Sequence, residues 1–202
     1  MKRAPAIEHE TYPDPHHDLY SRTTFGFWLY LLTDFILFGT LFGTYAVLKD
    51  STFGGPSAQT LFNLPSVLIR TLILLISSLV VGLAGAAAHR RNKNLTLVLF
   101  SLTFVLGMIF MVMQMGEFNQ LLDLGHHWQR SAFLSAYFTL TGTYALHMVF
   151  ALLWVVVLII PVYIQGVNGV SIRRLTCLKM FWQFLNIVWV FIFSFIYLLG
   201  AK

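Results

Sequence analysis

The chain has 202 residues, of which 57% are hydrophobic and only 10% charged. A soluble domain carries about a quarter charged residues, so this chain lacks the polar surface to face water all round and reads as an integral membrane protein. Its formal net charge of +5 does not point to nucleic acid, because the basic residues sit mostly between apolar runs, where membrane topology places them.

Residues 1–24 hold four acids, three prolines and three histidines. No apolar core precedes a small-residue cleavage site, so the stretch is not a secretory signal peptide. Pro5, Pro13 and Pro15 argue against a helix. His9, His16 and His17, scattered among Asp and Glu, fit a solvated cytoplasmic tail better than a metal site. Residues 25–202 then read as one all-α domain, a bundle of five transmembrane helices, with spans at about 25–48, 65–88, 95–115, 133–160 and 178–199. Each approaches the ~20 apolar residues needed to cross a bilayer. The runs are continuous rather than alternating, which argues against a β-barrel. Between them lie a Gly/Pro/Ser turn (DSTFGGPSAQ, 50–59), a basic turn (HRRNKN, 89–94), a longer loop containing HHWQR (116–132) and a polar connector (VNGVSIRR, 167–174).

Orientation follows from the cations. Lys2, Arg3, Arg22, Arg90, Arg91, Lys93, Arg173, Arg174 and Lys179 fall on one side, against Lys49, Arg70, Arg130 and Lys202 on the other. The positive-inside rule then puts the N-terminus in the cytoplasm and the C-terminus outside. Gly39 and Gly43 share a helix face, as do Ser78, Gly82 and Ala86; such small residues let backbones approach, and packing within the bundle is expected rather than dimerisation. Nineteen Phe and five Trp suit lipid contact and interfacial anchoring. A single cysteine, Cys177, excludes an intramolecular disulfide and reads as a packed or lipid-edge thiol.

The informative residues are polar ones at membrane depth. Asp34 interrupts FGFWLYLLTDFILFGTLFGTYAVL, and an acid there is a functional-site candidate by default. At roughly 1.5 Å per residue, Asp34 lies about 14 Å from the inner edge, Asn186 about 12 Å, Gln183 about 8 Å and His147 about 20 Å. Gln183 and Asn186 share a helix face. Asp34 is therefore expected to be buried near Asn186 and His147, and burial disfavours its charged form. Two roles stay open: a neutral acid hydrogen-bonded to an amide for packing, or a group that supplies protons. Arg70, early in the second span, and Glu117, at the end of the third, fall at similar height on the outer side. They are expected to form an ion pair with Gln114 in reach, the alternative being that each snorkels to the headgroups. The chain has no Walker loop, GxGxxG or CxxC. A haem or copper centre needs several histidines, whereas His147 is alone within a span, and His126 and His127 lie in a loop beside Trp128 without a third ligand. No redox centre is expected.

Several segments carry a resemblance: residues 25–48 above, GGP at 54–56, LPSVLIRTLILLISSL at 64–79, QMGEF at 114–118, SAYFTLTGTYALHM at 135–148, and FWQFLNIVWVFIFSFIYLLGA at 181–201. Their order and spacing resemble subunit III of the haem–copper terminal oxidases, most closely that of the bo-type ubiquinol oxidases. The cytochrome c oxidase relatives often carry two additional N-terminal spans. The resemblance implies an accessory subunit of a multi-pass complex in the bacterial inner membrane, without a cofactor of its own. Haem and copper belong to the catalytic subunit I, which reduces oxygen and pumps protons and against which this chain would pack directly. Subunits II and IV would complete the complex, and phospholipid would occupy a cleft between helices. Supporting proton uptake and turnover stability is the role so implied.

Asp34 matches the family's carbodiimide-reactive carboxylate, usually Glu; Glu117 and His147 match further polar positions. The last-span pattern WHFxDxxW reads WQFLNIVW here, so Gln183 and Asn186 replace a histidine and an aspartate. Tyr144 stands where relatives commonly have histidine, and Arg70 where quinol-oxidase relatives tend to have Glu. This thinner titratable cluster leaves packing and lipid roles intact and weakens that of a proton antenna. The alternatives are subunit III of a cytochrome c oxidase, an accessory protein of a nitric oxide reductase, a structural scaffold, or a small transporter coupled through Asp34. A transporter would be favoured by inverted repeats, and five spans do not divide into equal halves.

Overall fold

The computed structural model describes residues 15–53 and 64–198, with side chains from Ser21 onward. The expectations for residues 1–14 (Pro5, Pro13 and His9 included), for the Gly/Pro turn at 54–63 and for Lys202 lie outside the described residues. Among those described, the architecture is all-helical: α1 Pro15–Leu48, α2 Leu64–His89, α3 Lys93–Asp123, α4 Ala132–Gln165 and α5 Gly169–Ile192, the last running on into a π-helical turn at Phe193–Leu198. All five are long and apolar enough to cross a membrane.

The helices overrun the apolar runs, because hydropathy marks hydrocarbon depth whereas the backbone stays helical until a cap ends it. α1 begins at Pro15 rather than near residue 25. Proline is suited to a first helical position, where no N–H is needed, so Pro15 opens the helix it was expected to break. α3 continues past residue 115 to Asp123. It stops where Gly125 takes φ 74°, with the Gly125 N–H donating to Leu122 and the His126 N–H to Leu121, the Schellman arrangement that glycine favours. Glu117 therefore lies within α3 and not at its end. α5 begins at Gly169 rather than near 178, because the Asn168 side chain accepts the Ser171 N–H at 2.8 Å and caps the helix. Most of the expected polar connector is thus helix, and Arg173 and Arg174 sit on its first turns.

α5 is the central helix, touching α1, α2 and α4; α2 and α3 pair, α3 packs on α4, and α1 is seated on α4 and α5. Leu178, Trp182, Leu185, Trp189 and Ile192 of α5 are all buried in this core. Helices approach closely at Gly107 on α3, where an added Cβ would lie 2.6 Å from Trp182 and 2.9 Å from Leu152.

Gly39 and Gly43 do not pack within the bundle as expected. An added Cβ at either would meet nothing within 4 Å, so both face outward from α1. Spacing puts two glycines on one face but does not say which way that face turns. Gly39→Ala and Gly43→Ala are accordingly expected to cost nothing and to raise the stability of the chain in detergent by up to about 1 kcal/mol, the helix-propensity difference, measured by thermal unfolding.

Candidate functional site

Two buried polar clusters lie at different heights in the bundle. The first joins α1 to α4. Asp34 is 7% exposed, and its Oδ1 lies 3.8 Å from His147 Nε2. One turn back on α4, the Thr143 carbonyl is 2.8 Å from His147 Nδ1. A carbonyl only accepts, so Nδ1 carries a proton and the neutral ring presents a bare Nε2 toward Asp34. Two bare acceptors would then face each other. At 3.8 Å they are too far apart for a direct hydrogen bond, so the two groups are polar neighbours across α1 and α4. Phe38 and Phe181 flank the imidazole, with ring centroids at 5.2 and 6.4 Å. Asp34 Oδ2 has no hydrogen-bond partner among the described residues.

Gln183 and Asn186 do not join this pair. With Leu75 and Ser78 of α2 they line a separate groove of about 410 Å³, and the Asn186 amide donates to its own helix at the Trp182 carbonyl, 3.0 Å away. The expected grouping of Asp34 with the two α5 residues is thus corrected. The face shared by Gln183 and Asn186 turns toward α2 instead of α1.

The second cluster draws on α2, α3, α4 and α5. Arg70 is 1% exposed and forms an ion pair with Glu117 through Nη2 and Oε2. Its Nη1 donates to Gln114 Oε1 at 2.9 Å. The guanidinium carbon lies 5.9 Å from the ring centroids of both Trp189 and Tyr197, a cation–π arrangement. The Tyr137 and Tyr197 hydroxyls each donate to Glu117 Oε1 at 3.2 Å, and Trp189 Nε1 donates to Thr71 Oγ1 at 3.0 Å. Arg70 and Glu117 therefore meet inside the bundle instead of snorkelling. Beside them is a pocket of about 230 Å³ lined in part by Ser66, Arg70, Glu117 and Gln120.

Tyr137, Trp189 and Tyr197 escaped the sequence reading. Residues eight apart on an α-helix differ by about 80° around its axis, which would turn Tyr197 away from Trp189. The π-helical turn carries more residues per turn and swings Tyr197 back, so that the two ring centroids are 6.4 Å apart.

Tyr144, where resemblance anticipated histidine, is fully buried, its ring 5.2 Å from Trp189. Cys177 is buried on α5. His126 and His127 lie in the turn after α3, and no three His, Cys, Asp or Glu side chains converge on a metal site among the described residues.

A family model described as cytochrome c oxidase subunit III matches residues 6–201. The cytochrome bo(3) ubiquinol oxidase subunit 3 of Pseudomonas aeruginosa is 46% identical over 188 residues, covering 93% of this chain and 90% of that protein. The protein of the same description from Buchnera aphidicola subsp. Baizongia pistaciae is 41% identical over 185 residues, 91% of this chain and 94% of its own length. Cytochrome c oxidase subunit 3 of Bacillus sp. strain PS3 is 42% identical over 178 residues, 87% of this chain and 84% of the relative.

Proposed function

The chain belongs to the cytochrome c oxidase subunit III family, and from that premise we propose that it is the third subunit of a bo(3)-type ubiquinol oxidase in a bacterial inner membrane. The observation that carries this reading is near-full-length similarity to subunits of that description, at 46% and 41% identity. The cytochrome c oxidase relative at 42% keeps cytochrome c as the second donor to test. In this reading the chain packs against a catalytic subunit I that carries haem and copper, with subunits II and IV beside it, and takes lipid into its grooves. Its N-terminus lies in the cytoplasm, supported by the distribution of Lys and Arg. Its own contribution is structural and protonic. The Arg70 cluster ties four helices together, and the Asp34–His147 pair places a carboxyl and an imidazole side by side within the membrane, where they support proton uptake by subunit I.

The test is to solubilise the membrane gently, isolate a tagged copy, record its haem spectrum and partner masses, and compare quinol with reduced cytochrome c as donor. Purification without haem or a large multi-span partner would overturn the reading. For Asp34, the expected outcome of Asp34→Ala is an oxidase that assembles with its haem and starts at nearly full rate. It then loses activity faster, or takes up protons more slowly, during turnover. Loss of assembled haem from the outset would instead make Asp34 a packing residue.

A further inference from the structure

The groove between α2 and α5 has a polar floor at membrane depth. Asn186 is 6% exposed, and its Oδ1 is buried without a hydrogen-bond partner among the described residues; its amide already donates to the Trp182 carbonyl. Ser78 of α2 and Gln183 of α5 share the same lining. The Gln183 amide lies over Gly82, with Nε2 3.9 Å from where a Cβ would stand. Ser78 and Gly82 are half-buried and Ala86 is exposed, so the small residues of α2 follow the open side of the groove. The Lys179 stem closes one end, crossing α2 so tightly that a Cβ at Gly85 would lie 2.8 Å from it. Phe191, packed on Phe42 of α1 with ring centroids at 6.2 Å, bounds the other. Leu75, Ile187 and Val190 line the groove and are exposed along its flank.

We propose that this groove seats a transmembrane helix of another subunit, whose facing side chain donates a hydrogen bond to Asn186 Oδ1. The depth of the acceptor selects that occupant. Asn186 lies roughly 18 Å from the Leu198 end of its span and roughly 25 Å from the Gly169 end, at about 1.5 Å per residue. The donors of a phospholipid sit in its headgroup, at the membrane surface, and its acyl chains have none. In hydrocarbon an unpaired polar group is costly, and a neighbouring helix can bring a Ser, Thr, Asn, Gln or His donor to this depth. The small residues at 78 and 82 suit the same occupant, because they let a second backbone come close. The inference rests on the reading of this chain as one subunit of a larger complex, and it assigns a face of α2 and α5 to contact with a partner.

The experiment uses the complete complex in its native membrane, with Val190 replaced by the photo-cross-linker p-benzoylphenylalanine. Illumination is expected to join the chain to a transmembrane peptide of a co-purifying subunit, identified by mass spectrometry. Asn186→Leu keeps the volume and removes the acceptor. The adduct should fall about threefold to twentyfold, the range of single hydrogen bonds between membrane helices. Gly82→Leu obstructs the close approach and should lower the adduct by a similar or larger factor. An added Cβ there meets nothing nearer than 3.9 Å, so this variant decides the matter if Asn186→Leu does not fold. Adducts with phospholipid alone, adducts with a second copy of this chain, no adduct, or undiminished cross-linking in both variants would each overturn the proposal. A wild-type chain recovered without haem or any partner subunit would strike the functional reading, and this inference with it. A complete haem-containing complex whose groove meets lipid alone would strike this inference only.

Discussion

Replacing Arg70 with methionine is expected to destabilise the protein by about 3–5 kcal/mol, the usual cost of removing one partner of a buried ion pair. Arg70 is the cation that balances Glu117; without it, the carboxylate still has the Tyr137 and Tyr197 hydroxyls but no cation beside it among the described residues. The aromatic faces of Trp189 and Tyr197 lose their cation as well. The Glu117 side chain retains 15% exposure, which places the expected cost toward the lower end of that range. Adding Glu117→Gln to Arg70→Met should recover most of the loss, because a neutral replacement of a buried pair is often nearly as stable as the pair itself. Thermal or denaturant midpoints of both single variants and the double variant give the coupling directly. An Arg70→Met protein as stable as the wild type would show that Glu117 needs no cation, and the pair would lose its place as the anchor of the four helices.

Gly107→Ala should be costly despite adding a single methyl group. Its Cβ would lie 2.6 Å from Trp182 and 2.9 Å from Leu152, inside van der Waals contact. Trp182 has little freedom to retreat, since its indole N–H donates to Ser77 Oγ at 2.7 Å and the ring is fully buried. Overpacking of this kind costs about 1–3 kcal/mol, and Gly107→Leu is expected to block folding. Trp182→Phe removes the part of the ring that an alanine at 107 would strike, so Gly107→Ala should be milder in a Trp182→Phe background than alone. Equal penalties in the two backgrounds would show that Leu152, and not the indole, sets the limit. The contrast with Gly39 and Gly43, which face open space, is sharp enough to be read in one series of thermal melts.

The fold was largely legible because a bilayer imposes long apolar helices, and their number and order followed from hydropathy alone. Helix ends were less so: Pro15, Asn168 and Gly125 set them by local capping chemistry outside the apolar runs. The Arg70–Glu117 pairing was legible from height, since both side chains needed a partner at the same level. The direction in which a face turns was not. Gln183 and Asn186 look toward α2, and the two glycines of α1 look outward. Rotation about a helix axis is set by which neighbours it meets, and those neighbours come from distant parts of the chain. Trp189 and Tyr197 were hidden for a further reason, because the rule used to align residues on a helix assumes a constant number of residues per turn.

That last departure makes the C-terminal segment a length gauge. A wide turn accommodates one residue more than an ordinary helix would use over the same rise. Removing one residue from 193–196 would let the turn relax to ordinary helical winding while the helix keeps its direction. The tyrosine would then stand seven residues after Trp189, within about 20° of the same helix face, and its hydroxyl would stay beside the Glu117 carboxylate, whereas the uncut segment wound as an ordinary helix would turn it away. Register at this end of the bundle therefore depends on the count of residues as well as on their identity.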